Sequence, residues 1–132
     1  MKAISTKITK ALPVGAILNC ADNSGAKLLQ IISVRGYKGV RRTIPSTGVA
    51  GVVKCRVEKG TEKVRKQTFL AVIVRQKKPY KRPNGLSIQF EDNAAVLIDE
   101  KNMPKGSQIK GAIAREVVER FPTVGKIASI VV

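Results

Sequence analysis

Turn-forming residues divide the chain into short apolar runs, and this division limits the folds open to it. In residues 49–58 apolar and charged side chains alternate, which predicts a half-buried β-strand. Residues 68–75 are apolar on both faces, so a central strand is predicted there. Other strands are predicted at residues 16–21, 28–34, 95–98 and 127–132, with a short one around residues 88–90. Short strands separated by turns favour a small β-barrel, because closure removes exposed sheet edges.

One segment near the C-terminus follows a helical pattern instead. Ile113, Val117 and Phe121 lie four residues apart and therefore on one side of a helix predicted over residues 112–121. Pro122 is expected to end this helix. The chain of 132 residues has no repeat and no linker, so a single, mainly β domain is predicted. Its barrel would span about residues 15–100, with a helical C-terminal part over about residues 103–126.

Positive charge is concentrated in the middle of the chain. Sixteen of the 25 basic residues lie between Lys27 and Arg82, where only Glu58 and Glu62 oppose them, so this stretch carries +14 of the formal net charge of +16. Such self-repulsion contributes nothing to the stability of a fold. It indicates a polyanionic partner, and nucleic acid is the first candidate.

Two basic segments and one strand are candidate contacts with RNA. Residues 76–86 read as a hairpin tip in which four cations surround Tyr80, so the cations would neutralise phosphates and the ring would stack on an unpaired base. Residues 36–42 form a glycine-punctuated loop that lets the backbone approach a phosphate. The outer face of the strand at residues 49–58 adds two exposed cations. The predicted RNA-binding residues are Arg35, Lys38, Arg41, Arg42, Lys54, Arg56, Lys77, Lys78, Tyr80, Lys81 and Arg82.

The residue types argue against catalysis, a metal site or a cofactor. The chain contains no His, and its two cysteines, Cys20 and Cys55, each lie among apolar residues. We therefore predict two free thiols in the barrel core, no zinc site and no nucleophile–base pair. Residues 22–25 read as a turn. Glu91, Asp92, Asp99 and Glu100 read as an acidic patch that repels RNA or pairs with basic neighbours.

Charge alone leaves two rival functions open. A free-standing DNA-binding or chromatin protein would show the same phosphate attraction, although no basic recognition helix is evident. A small RNA-modifying enzyme is the second rival, and the missing His counts against it. The longest uncharged run, residues 11–21, is too short to span a bilayer and the N-terminus lacks the apolar block of a signal peptide, so no membrane association and a cytosolic location are expected.

Several short motifs together resemble the universal large-subunit ribosomal protein fourteen family. They are Cys-Ala-Asp-Asn-Ser-Gly-Ala at residues 20–26, Ala-Val-Ile-Val-Arg at 71–75, Arg-Pro-Asn-Gly at 82–85, then Phe90, Asn93 and Val96-Leu97. The resemblance runs from about Gly15 to Arg120. The longer N-terminus and the longer loop at residues 36–48 are similar to the archaeal and eukaryotic branch.

The resemblance implies a closed five-stranded barrel with a projecting β-ribbon and short C-terminal helices. It also implies binding to large-subunit rRNA and to neighbouring ribosomal proteins, a bridge to small-subunit rRNA, and part of the docking surface for anti-association initiation factor six. The predicted helix presents mixed charge, which suits recognition of a protein, so this end is expected to face the subunit interface; alternatively, the helix only plugs the barrel. The expected protein-binding residues are Arg115, Glu116, Glu119 and Arg120.

Overall fold

Five strands close into a β-barrel in a computed structural model that describes residues 2–132. The barrel strands are β2 (Ile17–Cys20), β3 (Ala26–Val34), β5 (Val52–Gly60), β6 (Thr68–Arg75) and β9 (Ala94–Ile98), hydrogen-bonded in that order. The remaining elements are β1 (Leu12–Pro13), β4 (Ser46–Thr47), β7 (Tyr80–Lys81), β8 (Ser87–Ile88), β10 (Ile109–Ile113), α1 (Arg115–Arg120), α2 (Pro122–Lys126) and β11 (Ala128–Val131). The predicted mainly β fold with a five-stranded barrel and short helices is confirmed.

Closure of the barrel depends on one parallel pair of strands. β2 pairs with β9 in parallel, with Asn19 opposite Ala94, whereas all other neighbours in the barrel are antiparallel. β6 covers the predicted residues 68–75 without a shift. β5 begins three residues later than predicted, because Gly51 donates a backbone hydrogen bond to Gly48 O and closes a turn there.

The buried apolar side chains form two clusters, one on each face of β6 and β9. Ala71 and Ile73 of β6 point into the barrel with Leu97 of β9, whereas Val72 and Val96 point outward. The outward-facing side chains pack against β10 and the two helices. Both strands are therefore buried on both faces, as the apolar pattern of residues 68–75 indicated.

The C-terminal part differs from the predicted helix over residues 112–121. Ile113 belongs to β10 and pairs in parallel with Val131 of β11, so α1 begins only at Arg115. Pro122 does not simply end a helix but occupies the first turn of α2, where its missing N–H costs nothing. Ile113, Val117 and Phe121 are nevertheless all buried in the apolar cluster on the outward faces of β6 and β9, which we call the outer cluster. Among residues 2–132 neither helix has the length and apolar character that a bilayer crossing requires.

The two cysteines are free, and their positions differ. Cys55 is fully buried inside the barrel, as predicted. Cys20 is only partly buried, since it lies at the end of β2, and its Sγ donates a hydrogen bond to Asp22 Oδ1 at 3.0 Å. Burial raises the pKa of each thiol to about 12, and the Asp22 carboxylate adds to the effect at Cys20.

Both thiols should therefore resist alkylation in the folded protein. At pH 8 a thiol with a pKa near 12 holds roughly a thousandth of the thiolate of an ordinary cysteine, and thiolate is the reactive form. Mass spectrometry after timed iodoacetamide labelling should show both cysteines reacting at least about 100-fold faster in denaturant than in buffer. Labelling of Cys55 at the denatured rate in native buffer would contradict its position in the barrel.

Candidate nucleic-acid interface

Nine of the eleven predicted RNA-binding residues are exposed cations. Four lie on or beside the loop after β3, two on the outer face of β5, and three between β6 and the tip of the β7–β8 hairpin. They are Arg35, Lys38, Arg41, Arg42, Lys54, Arg56, Lys77, Lys78 and Lys81, and we call them the basic surface. Only Arg56 among them has an acidic partner within the described residues, Glu58 at 3.8 Å. Because both side chains of that pair are more than a third exposed and water screens them, the pair contributes little to stability.

The N-terminal segment contacts both ends of the basic surface. Thr9 Oγ1 donates a hydrogen bond to Pro79 O at the base of the hairpin. Lys10 and Gly36, at the base of the loop, line the same cavity. Ile8 packs directly over Gly48, where an added Cβ would clash with Ile8 Cγ2. Residues 8–10 therefore connect the base of the loop with the base of the hairpin, although the loop and the hairpin are distant in sequence.

Tyr80 does not have the position that base stacking requires, so this prediction is corrected. Its ring is 1% exposed and packs in the outer apolar cluster. Tyr80 Oη donates a hydrogen bond to Glu116 Oε2 at 2.8 Å. Burial and this contact with Glu116 raise the pKa of Tyr80 above its ordinary value. An aromatic ring flanked by lysines in sequence is here a core residue, because β7 turns it inward against α1.

Arg82 is likewise not a free cation. Its Nε donates to Glu116 Oε1 at 2.6 Å and its Nη2 donates to Glu116 Oε2 at 3.0 Å, which makes a two-pronged ion pair. The same Nη2 donates to Val132 O at 2.7 Å. The two side chains are only 9% and 4% exposed. Arg82 therefore ties the hairpin to α1 and to the C-terminus instead of presenting charge to solvent.

The expected protein-binding face of α1 is smaller than predicted. Glu116 is buried in the pair with Arg82, and burial alone would raise its pKa, but the hydrogen bonds from Arg82 and Tyr80 outweigh this and hold the pKa of Glu116 below its ordinary value. Arg120 is partly buried, with Nη1 donating to Ala50 O at 2.8 Å. Arg115 and Glu119 alone remain exposed. Six residues of helix were too few for the sequence pattern to assign faces correctly.

Sequence reasoning missed a further group of exposed cations. The turn between β5 and β6 was assigned no role from the sequence, yet this turn carries Lys63, Arg65 and Lys66 against the single acid Glu62. The excess of charge in that turn was a sufficient signal. Lys105 was also missed; it lies between β9 and β10, and its Nζ is 3.8 Å from the centre of the Phe69 ring of β6, a contact that no local sequence pattern reports.

Asp22 of the predicted turn and Asp92 of the predicted acidic patch have structural partners, whereas Glu91, Asp99 and Glu100 are exposed. Asp22 is buried, with Oδ1 accepting from Ser24 N and Oδ2 from Leu97 N, so it fixes the predicted turn against β9. Asp92 pairs with Arg75 at 2.9 Å. Burial acts to raise the pKa of Asp92, but the hydrogen bonds from Arg75 and Asn19 lower it overall. Residues 2–132 contain no group of three acids or cysteines that could hold a metal ion.

Comparison with known proteins identifies the family to which this basic barrel belongs. Residues 11–132 match the family model described as ribosomal protein L14p/L23e. The chain belongs to this family of ribosomal proteins. It is 52% identical to the large ribosomal subunit protein uL14 of Methanoregula boonei, and 48% identical to the proteins of that name from Methanospirillum hungatei and Methanothrix thermoacetophila. Each comparison covers 100% of both chains.

Membership of the L14p/L23e family decides between the earlier alternatives. The family is one of ribosomal structural proteins, so the chain is not an RNA-modifying enzyme, and the resemblance found in the sequence motifs is confirmed. The relatives named above are archaeal, in agreement with the archaeal and eukaryotic character of the loop at residues 36–48.

The buried ion pair gives a test of stability. Glu116→Gln leaves Arg82 buried without a counter-charge and should lower the free energy of unfolding by about 2 kcal/mol or more at pH 7. Because the pKa of Glu116 is lowered by folding, its contribution is complete above the unfolded carboxyl pKa of about 4.3 and is lost as the pH falls through the folded value. Urea titrations should therefore show that the difference in the free energy of unfolding between the wild type and Glu116→Gln is smaller at low pH than at pH 7.

Glu119→Gln is the matched control, because Glu119 lies on the same helix but is exposed. Its effect on the free energy of unfolding should stay within about 0.5 kcal/mol. Equal effects of the two variants at pH 7 would contradict the role given to the Arg82–Glu116 pair.

Proposed function

We propose that this chain is a structural component of the large ribosomal subunit in the cytoplasm, where it binds large-subunit rRNA. The observation that carries this proposal is the basic surface: nine exposed cations, of which only Arg56 has an acidic neighbour within the described residues. The relatives' name, large ribosomal subunit protein, supports the same assignment. Family membership supports the ribosome as the particle, and the basic surface supports attachment through contacts with its RNA.

The basic surface is suited to a phosphate backbone and offers little for reading bases. Its side chains are lysines and arginines on a loop, a strand face and a hairpin, and its one predicted stacking ring, Tyr80, is buried. Backbone contacts of this kind fix position and orientation without reading sequence. Specificity would then come from the shape of folded RNA, with the rigid barrel holding the three cationic segments at fixed separations.

Association with the subunit is tested by sedimentation. Tagged wild-type protein expressed in a related archaeon should co-sediment with large subunits through a sucrose gradient. Arg41→Ala combined with Arg42→Ala should reduce that co-sedimentation while the melting temperature stays unchanged, because both side chains are exposed on a loop. Wild-type protein found only in the free fractions would refute the proposed function.

The salt dependence of RNA binding tests the electrostatic mechanism. If the basic surface engages about six phosphates, the logarithm of the association constant should fall against the logarithm of the salt concentration with a slope of roughly −4 to −5. Filter binding of purified protein to large-subunit rRNA fragments between 50 and 300 mM KCl, about the range in which counterion release dominates, measures this slope. A slope shallower than about −2 would mean that phosphate contacts do not dominate.

We also propose that the C-terminal end faces other macromolecules of the ribosome. The exposed Arg115 and Glu119 on α1 form a small mixed-charge surface, which suits a protein partner better than a phosphate backbone. The sequence resemblance supports neighbouring ribosomal proteins, a bridge to small-subunit rRNA and anti-association initiation factor six as the partners. Glu116 and Arg120 act in this proposal only by holding α1 in place.

Charge reversal on this end tests the proposed docking surface. Arg115→Glu with Glu119→Lys should weaken binding of initiation factor six to purified large subunits about 5-fold or more, since rim charges contribute up to about 1 kcal/mol each. The variant should still co-sediment with the subunit. The single substitution Glu119→Gln is the milder control, and unchanged factor affinity in the double variant would refute this assignment.

A further inference from the structure

One cavity of the protein is lined by positive charge and by no carboxylate. It has a volume of about 440 Å³ and lies between the N-terminal segment, the base of the loop after β3, the turn before β5 and the end of α1. Its three charged lining residues are Lys10, Arg35 and Arg120. The rest of its wall consists of apolar side chains, glycines and Thr47. A concave site with three cations and no acid favours an anionic ligand.

Among the lining residues, Arg120 is the one that an anionic ligand would stabilise most. Its Nη1 donates to Ala50 O, but its Nε is buried and has no hydrogen-bond partner among residues 2–132. Its guanidinium lies 5.7 Å from the centre of the Phe121 ring, which offsets only part of the lost hydration. Burial lowers the pKa of Arg120, and no neighbouring carboxylate opposes this effect. Burying a charge without a counter-charge is costly, and an anion in the cavity that Arg120 lines would supply that counter-charge.

The wall opposite the N-terminal segment is preformed. The backbone of residues 48–51 is held by Val49 N donating to Gln76 Oε1 and by Ala50 N donating to Ile73 O. Ala50 has a φ of 64°, a left-handed conformation that costs energy in a residue with a side chain and that surrounding bonds must maintain. At Gly51 an added Cβ would clash with Thr47 Oγ1, so the turn is tightly packed. The cavity therefore needs little rearrangement to bind a ligand.

We propose that this cavity binds one phosphate group of RNA, with Arg120 as its partly buried cation and Arg35 and Lys10 as its outer cations. Arg35 connects the cavity to the basic surface, so a backbone that crosses the loop can place a phosphate here. The apolar walls, including Ile4 and Ile8, would cover the attached sugar. Arginine suits this role because its planar fork matches phosphate oxygens. The RNA source of the phosphate rests on the proposed function, whereas the phosphate site itself does not.

Inorganic phosphate is the probe for the site. Ligand that binds only the folded protein raises its melting temperature, so 50 mM phosphate should raise that of the wild type by about 4 °C or more over sodium chloride of equal ionic strength. Arg120→Met should lose most of this shift, and Arg35→Met, an exposed change that keeps the fold, should reduce it. Lys126→Met, an exposed cation of α2 outside the cavity, is the control that should keep the full shift.

Filter binding to large-subunit rRNA fragments identifies the source. Arg120→Met should make the logarithmic salt slope shallower by about 0.7 to 0.9, the value of one phosphate contact, and Lys126→Met should not. Equal phosphate shifts in the wild type and in the two cavity variants would overturn the site. A lost shift with an unchanged slope would overturn RNA as its source. Wild-type protein that gains the phosphate shift but binds no rRNA would retain the site and refute the proposed function.

Discussion

Burial of β6 and β9 on both faces is the constraint on which the rest of the structure depends. Their inner side chains fill a barrel that the parallel pairing of β2 with β9 closes, and their outer side chains need a second cover. That cover is supplied by β10, the two short helices and Tyr80. A helix of six residues is too short to be stable alone, so α1 exists because Val117 is buried against this surface.

The same packing sorts the charges. Cations on the loop after β3, on the outer face of β5 and around the hairpin remain in solvent, where they can exchange counterions for phosphates. Arg82 is taken out of that set by Glu116, and Arg75 by Asp92. The cation Arg120 is partly buried with no acidic partner among the described residues, beside a cavity that Arg35 of the basic surface also lines. Two arginines that hold elements together are thus neutralised by acids, whereas the cations proposed to bind RNA stay exposed.

Features that depend on residues close in sequence were predicted correctly, whereas features that depend on distant contacts were not. Alternation within a strand is a local property, so residues 68–75 were predicted to the residue, and the turn at Asp22 was identified from its own side chains. The helix was placed three residues too early because Ile113 fits a helical spacing with Val117 while its backbone pairs with Val131. Tyr80 was assigned to RNA because its neighbours in sequence are cations, whereas its neighbours in space are apolar.

The sequence by itself determined the mainly β class, the position of the excess charge, the lack of catalytic groups and the family. These properties depend on residue types and on short spacings, which can be identified without knowledge of the fold. The tertiary structure alone decided which charged residues are free. Arg82 meets Glu116 across 34 positions of sequence, and Arg120 meets Ala50 across 70. Such partners are set when the barrel closes and the C-terminal part packs on it, because a charged group that leaves water needs a hydrogen bond or a counter-charge in its place.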